Sequence, residues 1–225
     1  RDYYHQTHSL YFTVLRNYFI TFIQKYMKKE FLFLFGSIFY FVFQSFGSNA
    51  NPALKPEAIR EIMLKTAEWQ IKHPKHAQND WTNAAFYAGM FATWEATKSQ
   101  TIYEAMMVMG EDSTQWRPYR RWYHADDIAI CQTYVDLYRI EKREDMLRPT
   151  LDTLEILLNN PYPYKGIQVI KWWWCDALFM GPPVLVKMAN VTGDDKYAKA
   201  NDTYFKECYN LLYNKEEKLF ARDLN

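Results

Sequence analysis

Residues 125–158, ADDIAICQTYVDLYRIEKREDMLRPTLDTLEILL, and residues 176–213, DALFMGPPVLVKMANVTGDDKYAKANDTYFKECYNLLY, decide the fold. Each reads as two helices joined by a short polar turn, at 140–145 in the first and 191–196 in the second. The turns lie about fifty residues apart, and each follows a helix that opens on an acidic residue. Stacked helical hairpins of this period build either an open solenoid or a closed α/α toroid.

The flanking sequence continues the pattern. Pro56 suits the first turn of a helix, with Ile59, Ile62, Met63 and Trp69 following at helical spacing. A second helix is predicted from Asp80 or Thr82, both good N-caps, to about Lys98. Ser99 can cap a third that carries Ile102, Ala105, Met106 and Met109. Residues 111–123 read as a loop, and the next helices as about 125–138, 145–158, 176–190 and 195–213. Pro161 and Pro163 break the chain, and Pro182 and Pro183 are expected to deform the helix from 176 near its start. No run alternates cleanly as a strand, so the class is all-α. Seven helices cannot close a toroid of six hairpins, so the expectation is the first part of a larger barrel.

The chain has 225 residues with 27 basic and 26 acidic side chains, a net charge of +1. That balance argues against nucleic-acid binding, which needs a basic surface to displace counterions. The average hides a boundary. Residues 1–50 hold ten of the fifteen Phe and none of the eight Trp, with five basic and two acidic residues. Residues 51–225 then carry 22 basic and 24 acidic side chains, a charge of −2. Met27, Lys28 and Lys29 precede a Phe-rich run from Phe31 to Phe46 and then Ser48-Asn49-Ala50, the tripartite pattern of a secretory signal peptide. The run is shorter than the roughly 20 apolar residues of a stable membrane span. The expected organisation is upstream translated sequence at 1–26, a signal at 27–50, and a helical body at 51–225. The body would be secreted or periplasmic, with no membrane span once the signal is cleaved. The sequence leaves the oligomeric state open.

Two segments could carry chemistry, RRWYHADDIAI at 120–130 and WWWCDALFMGPP at 172–183. Each sets a carboxylate at a loop-to-helix junction beside aromatic rings. Asp126, Asp127 and Asp176 could simply be N-caps. Two adjacent Asp exceed what a cap requires, however, and Asp176 lies among Trp174 and Met180. Burial against rings and a neighbouring carboxylate raise a pKa, while a helix N-terminus lowers it. Such opposed environments can leave one acid protonated and its partner ionised, as general acid–base work requires. Of the three Trp at 172–174, at least one must face the core, and Trp173 and Trp174 could form a platform for a sugar face. His124 could bond substrate or cap the helix that follows. His73 and His76 lack acidic or Cys neighbours at ligand spacing, so no metal is expected. Cys131, Cys175 and Cys208 form no CxxC; Cys131 reads as a core residue, and a Cys175 nucleophile would lack a nearby His and its orienting partner.

The stretches WYHADDIAICQTYVDLY (122–138) and WWWCDALFMGPPVLVKMANVTGDDKY (172–197) resemble the unsaturated uronyl hydrolases of glycoside hydrolase families 88 and 105. NDWTNAAFYAGMFATWEAT (79–97) and YNKEEKLFARD (213–223) are similar to further segments of these enzymes, in the same order. The resemblance implies an (α/α)6 barrel, here represented by about its first seven helices. It also implies hydrolysis of oligosaccharides ending in a 4,5-unsaturated uronic acid, with no metal or organic cofactor. It matches Asp176 to the general acid/base, and either Asp127, which directly precedes the apolar run, or Asp126 to a second essential Asp. Trp174 and Met180 match positions near the bound sugar, and Trp81 and Asn83 the edge of the pocket. The family segment that would follow Asn225 is absent, which implies that this stretch alone is inactive. Another toroid enzyme, such as a lyase or epimerase, and a helical-repeat binding module are the alternatives the residues leave open.

Overall fold

The computed structural model describes residues 54–224 apart from 165, 167 and 169. The expected leader and upstream segment, residues 1–50, lie outside the described residues. Three helical hairpins form the body: α2 (Trp81–Thr97) with α3 (Gln100–Val108), α5 (Cys131–Glu141) with α6 (Glu144–Asn159), and α8 (Pro182–Thr192) with α9 (Asp195–Leu212). The preceding helix α1 (Pro56–Lys72) packs on α2 and α3. The first helices of the hairpins, α2, α5 and α8, pack in a row, α5 between the other two. The second helices line the outside, each against its own partner.

The same device closes all three hairpins. Lys98, Lys142 and Gly193 take left-handed conformations with φ of 56°, 58° and 70°. Each donates its N–H back to the carbonyl four residues earlier. An extended residue then starts the next helix. Such a cap satisfies the carbonyls that a helix end leaves open. Glycine is its usual residue, but two of the three here are Lys. The sequence repeat therefore has a third member, hidden because only Gly193 carries the expected residue.

The core lies between the two layers. Ile102, Met106, Ile130, Tyr134, Leu137, Leu154, Leu185, Met188 and Tyr197 are almost fully buried. Cys131 is buried among them, as expected of a small core residue. Asp136 of α5 and Lys187 of α8 form an ion pair at this inner seam, where burial raises the Asp136 pKa against the pull of Lys187. The outer face of α1 behaves differently. Ile59 and Ile62 are exposed along an apolar groove of about 370 Å³ between α1 and α2, and Trp69 is exposed further along α1. No helix among the described residues is long and apolar enough to cross a membrane.

Three local readings change. Residues 109–114 form a π-helical turn that continues α3 rather than the start of a loop. It ends at Gln115 and Trp116, both at positive φ, where the Trp116 ring lies over Gly110 so closely that a Cβ there would fall 2.1 Å from it. The helix expected over 125–138 is split into α4 (Ala125–Ile128) and α5. The Asp127 carbonyl accepts from the Tyr119 N–H, and the turn through Ala129 and Ile130 tightens to three-residue bonds. The helix expected from 176 is likewise split, into α7 (Ala177–Met180) and α8, at Gly181-Pro182-Pro183. A short hairpin of β1 (Tyr213–Asn214) and β2 (Leu219–Phe220), unforeseen in the sequence, follows α9.

Candidate active site

Asp126, Asp127 and Asp176 all sit at the starts of the short helices α4 and α7, which contact each other. None of them caps its helix with its side chain. The side-chain caps are elsewhere: Asp80 accepts from the Thr82 N–H and Asp194 from that of Lys196. The capping explanation of these three carboxylates therefore does not hold, and each has another role.

Asp127 is a structural anchor. Its carboxylate is 2% exposed and accepts from the backbone N–H of Arg120 and Arg121 at 3.0 and 2.6 Å. It also takes Nε and Nη2 of Arg121 at 3.0 and 2.7 Å. Burial alone would raise its pKa, but these bonds outweigh it and hold the carboxyl below the ordinary range. Both oxygens are engaged, so Asp127 fastens the 117–124 loop over α4 and has little left to offer a substrate.

Asp126 faces the opposite way. Burial, and next the charge of Asp176, push its carboxyl up to about 6. Arg121 and the Trp174 indole offset only part of this. His124 lies with Nδ1 3.7 Å from Asp126 Oδ2, and its ring stacks on Trp174 at 4.5 Å between centroids. Burial, then the charge of Arg121, lower the His124 pKa to about 4. At neutral pH the imidazole is uncharged, so this contact is a polar one and not an ion pair. His124 Nδ1 and Asp126 Oδ1 are buried without a hydrogen-bond partner among the described residues. Leaving such atoms unmade costs about 1–3 kcal/mol each, and functional sites are where that cost is retained.

Asp176 is exposed at the mouth of this arrangement. Its backbone carbonyl accepts from the Phe179 and Met180 N–H groups, and its carboxylate makes no cap bond. The three Trp divide. Trp172 is fully buried, donates Nε1–H to the Tyr123 carbonyl, and packs so tightly on Gly181 that a Cβ there would lie 2.3 Å away. Trp174 stacks on His124, and the half-buried Trp173 meets Trp174 edge-on at 5.7 Å. Trp172 and Trp174 are both buried in the core, Trp174 beside His124, while Trp173 is half-buried against Trp174. Residues 222–224 pair with this segment: Cys175 N–H donates to the Arg222 carbonyl and Leu224 N–H to that of Trp173.

The remaining expected site residues are placed differently. Met180, the last residue of α7, is buried in the core. Asn83 is buried too, and its amide holds the preceding loop through the His76 and Ala77 carbonyls at 3.0 and 2.8 Å. Trp81 is 45% exposed at the start of α2. Among the described residues, no group of three His, Cys, Asp or Glu is arranged to hold a metal ion.

The sequence reading missed Gln132. Pro183 has no N–H to give to the Phe179 carbonyl, and the Val184 N–H turns to Gly181 instead of Met180. Both orphaned carbonyls accept from Nε2 of the buried Gln132, at 3.0 and 3.2 Å. Gln132 thereby ties α7, and Asp176 at its start, to α5. The Pro-Pro pair signalled orphaned carbonyls, but nothing local named their donor. Gln132→Leu is expected to destabilise the fold by about 1–3 kcal/mol, since two buried acceptors lose their partner. Chemical denaturation measures this, and a loss under about 0.5 kcal/mol would contradict the role.

The family model described as Glycosyl Hydrolase Family 88 matches residues 56–225. An unsaturated 3S-rhamnoglycuronyl hydrolase of Formosa agariphila is 38% identical over 186 residues, covering 78% of this chain and 49% of that protein. A solved polysaccharide lyase superposes with a TM-score of 0.66 at 24% identity, over 75% of this chain and 50% of that one. A glycosyl hydrolase family 88 protein from Bacteroides vulgatus superposes with a TM-score of 0.61 at 22% identity, over 73% and 51%. The fold is that of an α/α toroid, and the chain spans about half the length of the relatives it matches. The chain belongs to glycosyl hydrolase family 88.

Proposed function

We propose that the whole protein hydrolyses oligosaccharides whose non-reducing end is a 4,5-unsaturated uronic acid. The observation that carries this reading is the pairing of a half-buried carboxyl raised to about 6, Asp126, with a solvent-facing one, Asp176, beside Trp174 and His124. The name of the Formosa relative, an unsaturated 3S-rhamnoglycuronyl hydrolase, supports the substrate class.

The chemistry follows from the double bond. A proton added to C4 of the vinyl ether leaves an oxocarbenium-like cation at C5. Water adds at C5, and the resulting hemiketal opens and releases the rest of the oligosaccharide. No displacement at the anomeric carbon is needed, unlike ordinary glycosidase action. The charge of Asp176 favours the protonated form of Asp126. Asp176 is the member that substrate can reach, and Asp126 holds the proton in reserve. Neutral His124 and the Trp174 ring keep water away from Asp126. Saturated and unsaturated oligosaccharides separate this reaction from lyase or epimerase chemistry, because only hydration consumes the double bond. Loss of the ultraviolet absorbance of the unsaturated substrate is the expected result. Turnover of the saturated one would overturn the reading.

A stability measurement tests the Asp126 role without turnover. A carboxyl raised from an ordinary value near 4 to about 6 keeps its proton in the folded state across that window. Its contribution to stability is present at low pH and is lost as pH rises from about 4 to 6. Asp126→Asn removes the cost of ionisation, so the variant is expected to be more stable at pH 7 by about 1–3 kcal/mol. The gain should vanish near pH 4, while turnover falls. Equal stability at both pH values would contradict the assignment.

Export is part of this proposal. The tripartite leader at 27–50 supports a secreted or periplasmic enzyme, since such substrates are fragments of extracellular polymers. Amino-terminal sequencing of the mature protein, expected to begin near Asn51, tests it.

A further inference from the structure

The 117–121 stretch, RPYRR, sets three Arg within five residues and no carboxylate, in a body whose net charge is −2. All three line one cavity of about 330 Å³ between this loop and α6, which contributes Pro149 and Thr153. None of Asp126, Asp176, His124 and Trp174 lines it, so it is separate from the candidate active site. The loop backbone is held at every Arg. The Arg117 carbonyl accepts from the buried Tyr134 hydroxyl at 3.2 Å and from the Asn79 amide at 3.2 Å. The Arg120 and Arg121 N–H groups donate to the Asp127 carboxylate, and the Tyr119 N–H to the Asp127 carbonyl.

The charges in this cavity are unbalanced. Arg121 gives Nε and Nη2 to Asp127 and is neutralised there. Among the described residues Arg117 and Arg120 make no ion pair, and both are exposed. Arg120 rests on the Tyr119 ring, its Cζ 4.6 Å from the centroid, a contact that orients the guanidinium but leaves its charge uncompensated. The acidic side chains of α6 are engaged elsewhere: Glu144 by Tyr138, Asp145 by Arg143, Asp152 by Arg148 and Glu155 by Lys196. Two positive charges are therefore gathered on a backbone fixed in advance. They repel each other, a cost that a bound anion removes. Guanidinium forks match the oxygens of phosphate and sulfate groups, and a preformed loop lowers the ordering cost of binding.

We propose that this cavity binds a tetrahedral dianion, a sulfate or phosphate group, between Arg117 and Arg120. The charge of the group matches that of the two unpaired guanidiniums. The cavity is larger than such an ion alone, so the group can arrive free or as an ester on a larger molecule. Its occupant steadies the loop that carries His124. The proposal stands on the loop and α6 and does not depend on the hydrolase reading.

The test is calorimetric titration of sulfate, phosphate, methyl phosphate and acetate into a form of the protein spanning the full length of its relatives. It is run at pH 8, where phosphate and its monoester carry close to two charges, and at constant ionic strength. At least one of sulfate and phosphate is expected to bind with a Kd of about 1 mM, and acetate about tenfold more weakly or worse. Arg117→Gln and Arg120→Gln should each weaken the dianion about tenfold, the worth of one charge-assisted hydrogen bond, and together abolish binding. Both residues are exposed, so thermal unfolding without anion should be unchanged in the variants, which separates loss of the site from loss of the fold. Methyl phosphate binding as tightly as phosphate assigns the site to an ester carried by a larger molecule, and its exclusion assigns it to the free ion. No saturable binding of either dianion below about 20 mM would overturn the proposal. So would acetate binding as tightly as the dianions, or binding that survives in the double variant.

Discussion

Asp176→Asn is expected to lower turnover of an unsaturated oligosaccharide by about 10²–10⁴-fold, the usual worth of a positioned proton donor. The assay is the loss of ultraviolet absorbance, in a form of the protein spanning the full length of its relatives. Asp176 is exposed and makes no side-chain cap, so the substitution should change stability by less than about 0.5 kcal/mol. That separates loss of chemistry from loss of fold. A second consequence is readable in the 225-residue chain without substrate. The charge of Asp176 is one of the causes that raise Asp126. Its removal should therefore move the Asp126 titration toward lower pH, visible as a shift in the pH dependence of stability. Near-wild-type turnover, with the Asp126 titration unmoved, would eliminate Asp176 as the partner carboxylate.

Arg121→Met is expected to have the largest effect on stability. Asp127 is almost wholly buried, and Arg121 supplies two of its side-chain bonds and its compensating charge. Breaking a buried pair from one side typically costs about 3–5 kcal/mol. Arg121 is itself about half exposed, and the Arg120 and Arg121 backbone N–H groups remain, so about 2–4 kcal/mol is expected here. The pH dependence gives the sign. The folded-state pKa of Asp127 is lowered, so its contribution is present at neutral pH and is lost as pH falls through that lowered value. The gap between variant and parent should be widest at pH 7 and shrink toward pH 3. Denaturant titrations at both pH values measure it. A loss below about 1 kcal/mol at pH 7 would show that the backbone bonds alone hold Asp127. Because Asp127 positions the loop bearing His124, turnover should fall as well.

The adjacent pair Asp126-Asp127 shows where sequence reading stops. Two carboxylates before an apolar run marked a site, and the resemblance of 122–138 to a known family pointed to one of them as essential. Which one matters depends on direction. Asp127 turns toward Arg121 and is neutralised, whereas Asp126 turns toward Trp174 and Asp176 and is raised. Neighbouring residues at a helix start differ by about 100° in direction, and only packing says what waits in each. The same applies to the triple Trp, of which one stretch of backbone buries two and leaves Trp173 half-buried.

The sequence by itself determined the helical class, the hairpin repeat, the proline break before α8 and the two segments proposed to carry the chemistry. These are local properties: capping, periodicity and missing N–H groups act within a turn or two of the residues that cause them. The tertiary structure alone decided that Lys98 closes a third equivalent hairpin and that Gln132 satisfies carbonyls 47 and 48 residues away. It alone set the two aspartates in opposed environments. Each depends on the burial and charge that other elements bring, and a pKa or a hydrogen-bond partner across the fold is a property of that assembled surrounding.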